Sequence, residues 1–136
     1  MLVETEKIQV TCPMDLVNVM KDVLSNVDET DAMKEHFWCI GLNGASVIQY
    51  VELVTLGLIN QALVHPREVF RHAISESSVS IAVCHNHPSG IVEPSREDND
   101  VTSRLKAAGE IVGIQLIDHV IITDSAYYSY AEHDAL

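Results

Sequence analysis

The stretch that most constrains the fold and function of this chain is residues 80–100, SIAVCHNHPSGIVEPSREDND. Its apolar run at residues 81–83 is typical of a buried strand. Two histidines, His85 and His87, follow directly and are separated by one residue. Pro88 has no N–H and cannot continue a central strand, so we expect both histidines at the end of that strand.

Three side chains of this stretch are of the kinds that bind zinc. Side chains two residues apart on an extended segment point to the same side, so His85 and His87 can face one point. Asp98 adds a carboxylate at the start of a predicted helix. Imidazole nitrogen and carboxylate oxygen both suit Zn²⁺, and three protein ligands leave the fourth tetrahedral position open, as in catalytic sites. The sequence therefore predicts one Zn²⁺ per chain, bound by His85, His87 and Asp98.

The same residues also have a simpler structural interpretation. Pro94, followed by the pattern Ser95-x-x-Asp98, is typical of a capped helix start, and two nearby histidines can be exposed loop residues. Each explanation is adequate for its own part of the sequence. The combined spacing, His-x-His-Pro, six residues and then Ser-x-x-Asp, is far more specific than its parts and favours the metal site.

This combined spacing resembles the RadC family, whose proteins carry a JAB/MPN domain with the JAMM metalloprotease motif. That motif consists of an upstream Glu, then H-x-H-P, six residues and S-x-x-D. The resemblance covers most of the chain, because further segments match RadC proteins in the same order. The matching residues are His85-Asn86-His87-Pro88-Ser89-Gly90, Pro94-Ser95, Asp98 and the segments 35–38, 65–68 and 118–122.

The predicted elements agree with the fold that the resemblance implies. Hydrophobic periodicity predicts an α/β (mixed α+β) protein, with residues 1–136 as a single domain. The resemblance implies a JAB/MPN-like fold, a curved mixed sheet flanked by helices and similar to the cytidine-deaminase fold. The predicted strands are residues 8–12, 37–42, 47–56, 79–83, 116–123 and 127–130, and residues 57–63 form a loop. The predicted helices are residues 14–24, 66–77 and 95–112, and Gly113 is the predicted C-terminal cap of the third helix. The side chains expected in the interior include Phe37, Trp38, Ile74, Cys84, Ile111 and Val112.

A hydrolytic zinc site also needs a general base that moves a proton from water to the leaving nitrogen. The residues alone leave four candidates, Glu35, Glu52, Glu93 and Glu97. The resemblance selects Glu35, since the base of the family lies just before the second strand. JAMM enzymes outside RadC often place this Glu directly against the apolar run, whereas His36 intervenes here.

The resemblance implies further roles around the predicted site. Ser95 matches the serine that stabilises the oxyanion of the tetrahedral intermediate in the family's mechanism. Asp118 and His119 match a RadC segment at a strand start, where they could orient a ligand histidine, although a polar strand entrance is an equal explanation. The remaining histidines show no ligand spacing and are expected at the surface; they are His36, His65, His72 and His133.

The charge of the chain argues against direct nucleic-acid binding. There are 20 acidic and 8 basic residues, a net charge of −12, and nucleic-acid binding draws much of its affinity from Lys and Arg on phosphates. Full-length RadC proteins commonly carry an N-terminal helix-hairpin-helix region. This sequence lacks one, so we expect a short family member or an isolated C-terminal domain. The expected partner is a peptide or protein substrate, and protein partners or a homo-oligomer stay open.

The sequence predicts a cytoplasmic protein without a membrane segment. No apolar run is long enough to span a bilayer. The N-terminus lacks a basic region followed by an apolar one, which a secretory signal requires. The three cysteines, Cys12, Cys39 and Cys84, form no C-x-x-C pair, and their sparse use fits a reducing compartment.

Two functional classes remain open from the sequence. One is a RadC-like, zinc-dependent metallopeptidase or hydrolase that cleaves an amide or isopeptide bond. The alternative is a non-catalytic interaction module, associated with DNA repair, whose metal site stabilises the scaffold. A thiol hydrolase using Cys39 or Cys84 is disfavoured because neither has a convincing partner. Two further classes are excluded. An HNH nuclease spreads its motif residues over a much longer segment than His85-Asn86-His87. A nucleobase deaminase needs H-x-E with a later P-C-x-x-C, whereas this sequence has His87 at the third position and no P-C-x-x-C.

Overall fold

One mixed sheet organises the described residues, which are 1–60 and 62–136 of a computed structural model. In chain order the elements are β1 (Leu2–Val3), α1 (Pro13–Ser25), α2 (Glu29–Ala32), β2 (His36–Leu42), β3 (Ile48–Leu56), α3 (Pro66–Ser75), β4 (Ser80–Asn86), α4 (Arg96–Val112), β5 (Gln115–Ile122) and β6 (Tyr127–Ser129). The six strands lie in the order β1-β3-β2-β4-β5-β6. The neighbours β4 and β5 are parallel, and the other pairs are antiparallel. The predicted mixed α/β class, an open sheet flanked by helices, is confirmed.

The central strands β2 and β4 are buried on both faces, and this burial explains their apolar composition. Alternate side chains enter two separate cores. Trp38 and Cys84 belong to the core that includes α1, whereas Phe37 and Val83 belong to the core that includes α3 and α4. Because strand side chains alternate with a period of two, His85 lies on the same face as Val83. The sheet thus directs His85 towards α4.

Helix α4 is the crossover that a parallel β4–β5 pair requires. It begins after Ser95, whose hydroxyl accepts a hydrogen bond from the Asp98 N–H, and it ends at Gly113. Gly113 has φ 77°, the left-handed conformation in which glycine carries no steric cost. The predicted helix and its glycine cap are therefore confirmed, and the crossover fixes Asp98 beside the end of β4.

The predicted first strand at residues 8–12 is wrong. This segment forms only an isolated bridge between Gln9 and Val47, with two flanking backbone hydrogen bonds. Val47 precedes the first residue of β3, so in this register the rest of the segment lies opposite the hairpin turn and not opposite the strand. The helix start at Pro13 then prevents a longer pairing. One residue of the predicted loop at 57–63, Gln61, lies outside the described residues.

Three side chains that were expected to face inward are exposed instead: Ile74 by 58%, Ile111 by 85% and Val112 by 45%. The buried stripe of α4 starts at Asp98 and runs through Thr102 and Leu105 to Gly109. Two of these positions are polar or charged, so hydrophobicity alone placed the stripe wrongly. Ile111 lies off this face because an α-helix advances 3.6 residues per turn.

The expectation of surface histidines is wrong for His36. Its side chain is buried, stacks on Trp38 with ring centroids 5.1 Å apart, and hydrogen-bonds the Lys34 carbonyl through Nδ1. The predicted packing of Trp38 in the core is confirmed, and so are the core positions of Phe37 and Cys84. His65 and His72 are half-buried, and His133 is exposed. Among the described residues, no helix combines the length and the apolar character needed to cross a membrane.

Candidate metal centre

The end of β4 and the first turn of α4 bring three potential metal ligands together. His85 Nε2 lies 2.8 Å from His87 Nε2 and 3.2 Å from Asp98 Oδ1, and His87 Nε2 lies 3.2 Å from Asp98 Oδ2. Within the described part of the chain, these residues form the one group of three or more His, Cys, Asp or Glu whose ligand atoms converge. The arrangement is buried, since His85 and Asp98 are 0% and 3% exposed.

The spacing of these three donors fits a tetrahedral zinc site. Ligand atoms that lie 2.0–2.2 Å from a tetrahedral ion are about 3.3–3.6 Å from one another. Both imidazole–carboxylate distances are close to this value, and the distance between the two Nε2 atoms is shorter. Two imidazoles and a carboxylate are also a common ligand set of zinc enzymes with an open coordination position. The residues present therefore fit the ion that the sequence predicts.

The protonation of His87 presents a lone pair to the centre of the group. His87 Nδ1 lies 2.6 Å from the Ile91 carbonyl oxygen, which can only accept, so Nδ1 carries the proton. In the neutral ring, Nε2 then has a free lone pair that faces His85 and Asp98. The charged ring also carries a proton on Nε2 and donates it to the Asp98 carboxylate, and this hydrogen bond raises the pKa of His87.

Asp98 is ionised at neutral pH despite its burial. Burial by itself raises the pKa of a carboxyl group, but hydrogen bonds from the protonated rings of His85 and His87 outweigh this effect and hold the pKa of Asp98 well below its usual range. The backbone N–H of Ser95 adds a further hydrogen bond to Oδ2 at 2.8 Å. A buried carboxylate and two imidazoles that converge in this way are suited to bind a cation.

Strand register places Glu35 beside the same site. Phe37 lies directly opposite His85 in the antiparallel β2–β4 pair, and their rings stack with centroids 6.1 Å apart. Glu35 directly precedes β2, two residues before Phe37 and on the same side of the extended chain, and its charge contributes to the raised pKa of His87. One carboxylate oxygen, Oε2, accepts the Ile59 N–H at 3.2 Å.

The other three candidate acids have different surroundings. Glu93 and Glu97 are exposed. Glu52 is buried on β3, where it lies opposite Cys39, and Cys39 is two residues after Phe37 on β2. The Oε1 atom of Glu52 has no hydrogen-bond partner among the described residues. Of the four acids that the sequence left open, the strand register therefore favours Glu35 as the one nearest to His87.

Ser95 caps α4 and still has a free proton. Its Oγ atom accepts from the Asp98 N–H at 3.1 Å, and the Asp98 side chain accepts from the Ser95 N–H in return. This is the capping box that the simpler interpretation predicted. Because Ser95 is exposed and its hydroxyl only accepts in this motif, the O–H remains available to donate. Capping and an oxyanion role are therefore compatible.

The neighbours Asp118 and His119 have different surroundings. Asp118 accepts hydrogen bonds from the Ser129 hydroxyl at 2.6 Å and from the Ala131 N–H at 3.0 Å, so it joins β5 to the chain after β6. Burial raises the pKa of this carboxyl. His119, in contrast, is fully buried and its Nε2 lies 2.7 Å from His85 Nδ1. Burial, and then the neighbouring His85, lowers the pKa of His119 well below its usual value.

Asn86 is a residue of this site that the sequence did not single out. It is buried between the two histidines, and its side chain points to the opposite side of the strand. Oδ1 accepts the His36 N–H at 2.6 Å, and Nδ2 donates to the Lys34 carbonyl at 3.0 Å. Asn86 thus holds the backbone on both sides of Glu35. Its alternation with the two histidines was visible in the sequence, but the partner segment 50 residues earlier was not.

A cleft of about 230 Å³ is lined by one residue of the ligand group, His87, and by Asn86, which points to the other side of the strand. Its walls include Leu24, Met33 and Ile122, so it offers apolar surface next to a potential metal ligand. A larger cleft of about 630 Å³ lies near β1 and the end of α1 and contains none of the predicted site residues. The smaller cleft is the more relevant one, because it borders the ligand group.

The two buried thiols have no features of a nucleophile. Cys39 and Cys84 are 0% and 1% exposed. Burial raises the pKa of Cys39 to about 12 and also raises the pKa of Cys84. The thiolate is the reactive form of cysteine, so the structure supports the rejection of a thiol hydrolase.

The fold and the site define a class of protein, a mixed α/β domain with a buried His-His-Asp group at the junction of a central strand and its crossover helix. The sequence comparison agrees with this class, since residues 10–135 match the RadC-like JAB domain. The chain belongs to the RadC family.

Relatives with this domain include several bacterial proteins named UPF0758. The protein of Staphylococcus haemolyticus is 45% identical over 127 residues, which are 93% of this chain and 54% of that protein. The protein of Listeria innocua is 44% identical over 132 residues, 97% of this chain and 57% of that protein. The protein of Clostridioides difficile is 52% identical over 100 residues, 74% of this chain and 43% of that protein. The chain spans about half the length of the curated relatives it matches.

Proposed function

We propose that this chain is a zinc-dependent hydrolase of the JAMM type that cleaves an amide or isopeptide bond in a peptide or protein. The observation that supports this function best is the convergence of three ligand atoms from His85, His87 and Asp98, each with a lone pair or a negative charge directed at one point. A structural zinc site would use four protein ligands, whereas this group supplies three.

Each residue of the site has a separate task in the proposed reaction. Zn²⁺ held by the two histidines and Asp98 would polarise the substrate carbonyl and lower the pKa of a nearby water. Glu35 takes the proton from the attacking water and delivers it to the leaving nitrogen, so that the C–N bond breaks and an amine and a carboxylate result. The Ser95 hydroxyl donates a hydrogen bond to the oxyanion that forms on the carbonyl carbon.

The smaller cleft offers apolar surface to a neighbouring part of such a substrate. His87 lies in its wall, and an aliphatic group of a peptide can pack there against Leu24 and Met33, on the α1 side of the sheet. The net charge of −12 disfavours nucleic acid in this position, since phosphates would be repelled. The alternative function, an interaction module linked to DNA repair, would share the metal ligands and would leave Glu35 without a catalytic task.

The first test is the zinc content of the purified protein, measured by elemental analysis. We expect about one Zn²⁺ per chain in the parent and little in His87→Ala, because one of three ligands is lost. His133→Ala is the matched control, since His133 is exposed and belongs to the C-terminal segment. A parent protein that takes up no zinc, even after zinc is added and the excess is removed, would contradict the proposal.

The second test separates the hydrolase from the interaction module. With a panel of peptide and isopeptide substrates, Glu35→Gln should lower kcat by about 10²–10⁴-fold, the usual contribution of a general base. Its zinc content should stay that of the parent, because Glu35 is outside the ligand group. Full activity in this variant would exclude Glu35 as the base. Zinc without any activity, in the parent and on every substrate, would favour the interaction module.

A further inference from the structure

A chain of hydrogen bonds leads from His85 back to helix α4. His85 Nδ1 lies 2.7 Å from His119 Nε2, and His119 Nδ1 lies 2.6 Å from the Thr102 hydroxyl oxygen. That hydroxyl lies 2.7 Å from the carbonyl oxygen of Asp98, one helical turn earlier. All four residues are at most 3% exposed. The chain therefore starts at one potential metal ligand and ends on the backbone of another, without contact to water.

The direction of every bond in this chain follows from the groups involved. The Asp98 carbonyl can only accept, so the Thr102 hydroxyl proton is committed to it. Thr102 Oγ1 must then accept a proton from His119 Nδ1. A neutral imidazole carries a single N–H, so His119 Nε2 accepts from His85 Nδ1. In the neutral ring of His85, the relay thereby locates the free lone pair on Nε2, the atom that faces Asp98 and His87, whereas only the charged ring also carries a proton there.

We propose that Thr102 is a positioning residue that fixes the tautomer of His85 through His119, and that it thereby prepares His85 Nε2 to bind a metal ion. This inference rests on the proposed metal site and extends it to a residue of the helix that carries Asp98. A threonine whose hydroxyl bonds its i−4 carbonyl slightly destabilises a helix. Here the same bond sets the direction of a relay between the two elements that carry the ligands.

Without the hydroxyl of Thr102, the relay can reverse. His119 Nδ1 would face an apolar group, and its N–H would be a buried donor without an acceptor. The ring avoids this when its proton moves to Nε2, so that it donates to His85 Nδ1 instead. His85 must then carry its own proton on Nε2, where a metal ion would bind. Metal binding would require the removal or relocation of that proton, and the affinity would fall.

The test compares Thr102→Val, Thr102→Ser and the parent. Zn²⁺ affinity is measured by competition with a chromophoric chelator, and the histidine tautomers of the metal-free protein are measured by ¹⁵N NMR. We expect Thr102→Val to lose about 10–100-fold in affinity, as for other partners of metal ligands, with His85 shifted to the Nε2–H tautomer. Thr102→Ser keeps the hydroxyl and should restore both properties.

Thr55→Val is the matched control for the loss of a buried threonine hydroxyl. Thr55 Oγ1 is buried and finds no hydrogen-bond partner among the described residues, so its removal should leave the affinity and the tautomers unchanged. Parental affinity and parental tautomers in Thr102→Val would overturn the inference. An equal loss of affinity in Thr102→Ser would also overturn it, because it would indicate a packing role.

The outcome for the zinc site and the outcome for Thr102 can be told apart. If the parent binds no Zn²⁺, the proposed function fails, whereas the tautomer of His85 in the metal-free variants still decides whether Thr102 controls it. If the parent binds Zn²⁺ and His85 has the same tautomer in all variants, the site stands and the inference about Thr102 fails.

Discussion

The nitrogen that carries the lone pair in each ligand histidine is set by the group that contacts its Nδ1 atom. The carbonyl of Ile91 holds the proton of His87 on Nδ1, and His119 Nε2 contacts Nδ1 of His85 in the equivalent way. Both rings consequently direct Nε2 towards the same carboxylate. A histidine in a loop would exchange between tautomers, so these two contacts distinguish the group from two histidines that are merely neighbours.

The affinity for Zn²⁺ should rise as the pH rises through the raised pKa of His87. The hydrogen bond with Asp98 raises this pKa above its usual value, so the charged ring stabilises the metal-free protein below the unfolded-state pKa of about 6.5. That stabilisation is lost as the pH rises through the folded-state pKa of His87. Below this pKa, Zn²⁺ must displace a proton from the His87 ring in order to bind. Isothermal titration calorimetry in buffers of different ionisation enthalpy should therefore detect proton release at low pH. An affinity that is independent of pH would contradict this assignment.

The three thiols should differ sharply in reactivity. Cys12 is exposed, whereas Cys39 and Cys84 are buried and have raised pKa values. Because the thiolate reacts, a thiol reagent at neutral pH should modify Cys12 rapidly and the other two only after denaturant is added. The count of modified thiols before and after unfolding checks this expectation, and Cys12→Ser should abolish the rapid phase.

Among the elements, β4 is the one on which the site depends, because its two faces have separate tasks. His85 and His87 lie on the side of α4, and Asn86 binds the segment before β2 from the other side. A single strand end therefore connects the potential ligands to the backbone that carries Glu35. The loop at residues 57–60 contacts Glu35 as well, because the Gly57 N–H donates to its backbone carbonyl at 2.8 Å and the Ile59 N–H donates to its carboxylate at 3.2 Å.

Asn86→Ala should loosen the segment that carries Glu35 while leaving the ligands in place. The backbone N–H of His36 would lose its side-chain acceptor, at a cost of about 1–3 kcal/mol for a buried polar group, whereas the carbonyl of Lys34 would lose one of its two partners and keep His36 Nδ1. We expect a lower free energy of unfolding and faster amide hydrogen exchange at residues 32–36, with the zinc content unchanged. Asn18→Ala, at an exposed position of α1, is the control and should change stability by at most about 0.5 kcal/mol. Unchanged exchange at residues 32–36 would contradict the proposed clamp.

For the molecule as a whole, a bound ion should connect the sheet to its crossover helix. Two ligands belong to the end of β4 and one to α4, so binding requires the folded arrangement of both. The unfolded chain has no such site. Metal binding should therefore appear as folding stability.

Zn²⁺ should raise the melting temperature in a concentration-dependent way. Free Zn²⁺ at 100 times its Kd should add about 2.7 kcal/mol to the free energy of unfolding, and a chelator should reverse the effect. Asp98→Ala should abolish the response because it removes a ligand, whereas Glu97→Ala, at an exposed neighbour in the same turn, should retain it. A response in Asp98→Ala equal to that of the parent would show that the ion binds elsewhere.

The sequence by itself determined the strand, turn and helix that hold His85, His87 and Asp98. Each of these elements follows from local signals: an apolar run, a proline, a capping box and a glycine at the helix end. The sequence could not locate the residues that approach from distant segments. Asn86, His119 and Thr102 acquire their partners only in the fold, because hydrogen bonds between neighbouring strands and across a crossover leave no periodic pattern.

The tertiary structure also decided which side chains are buried. The stripe of α4 includes Asp98 and Thr102 as buried residues, whereas Ile111 is exposed, contrary to their hydrophobicity. Residues 8–12 meet the sheet only where Gln9 bridges Val47, before the start of β3, so they do not form the strand that their alternation favours. The physical reason is the same in both cases: burial and pairing depend on which surface lies opposite in the fold, and a local pattern carries no information about that surface.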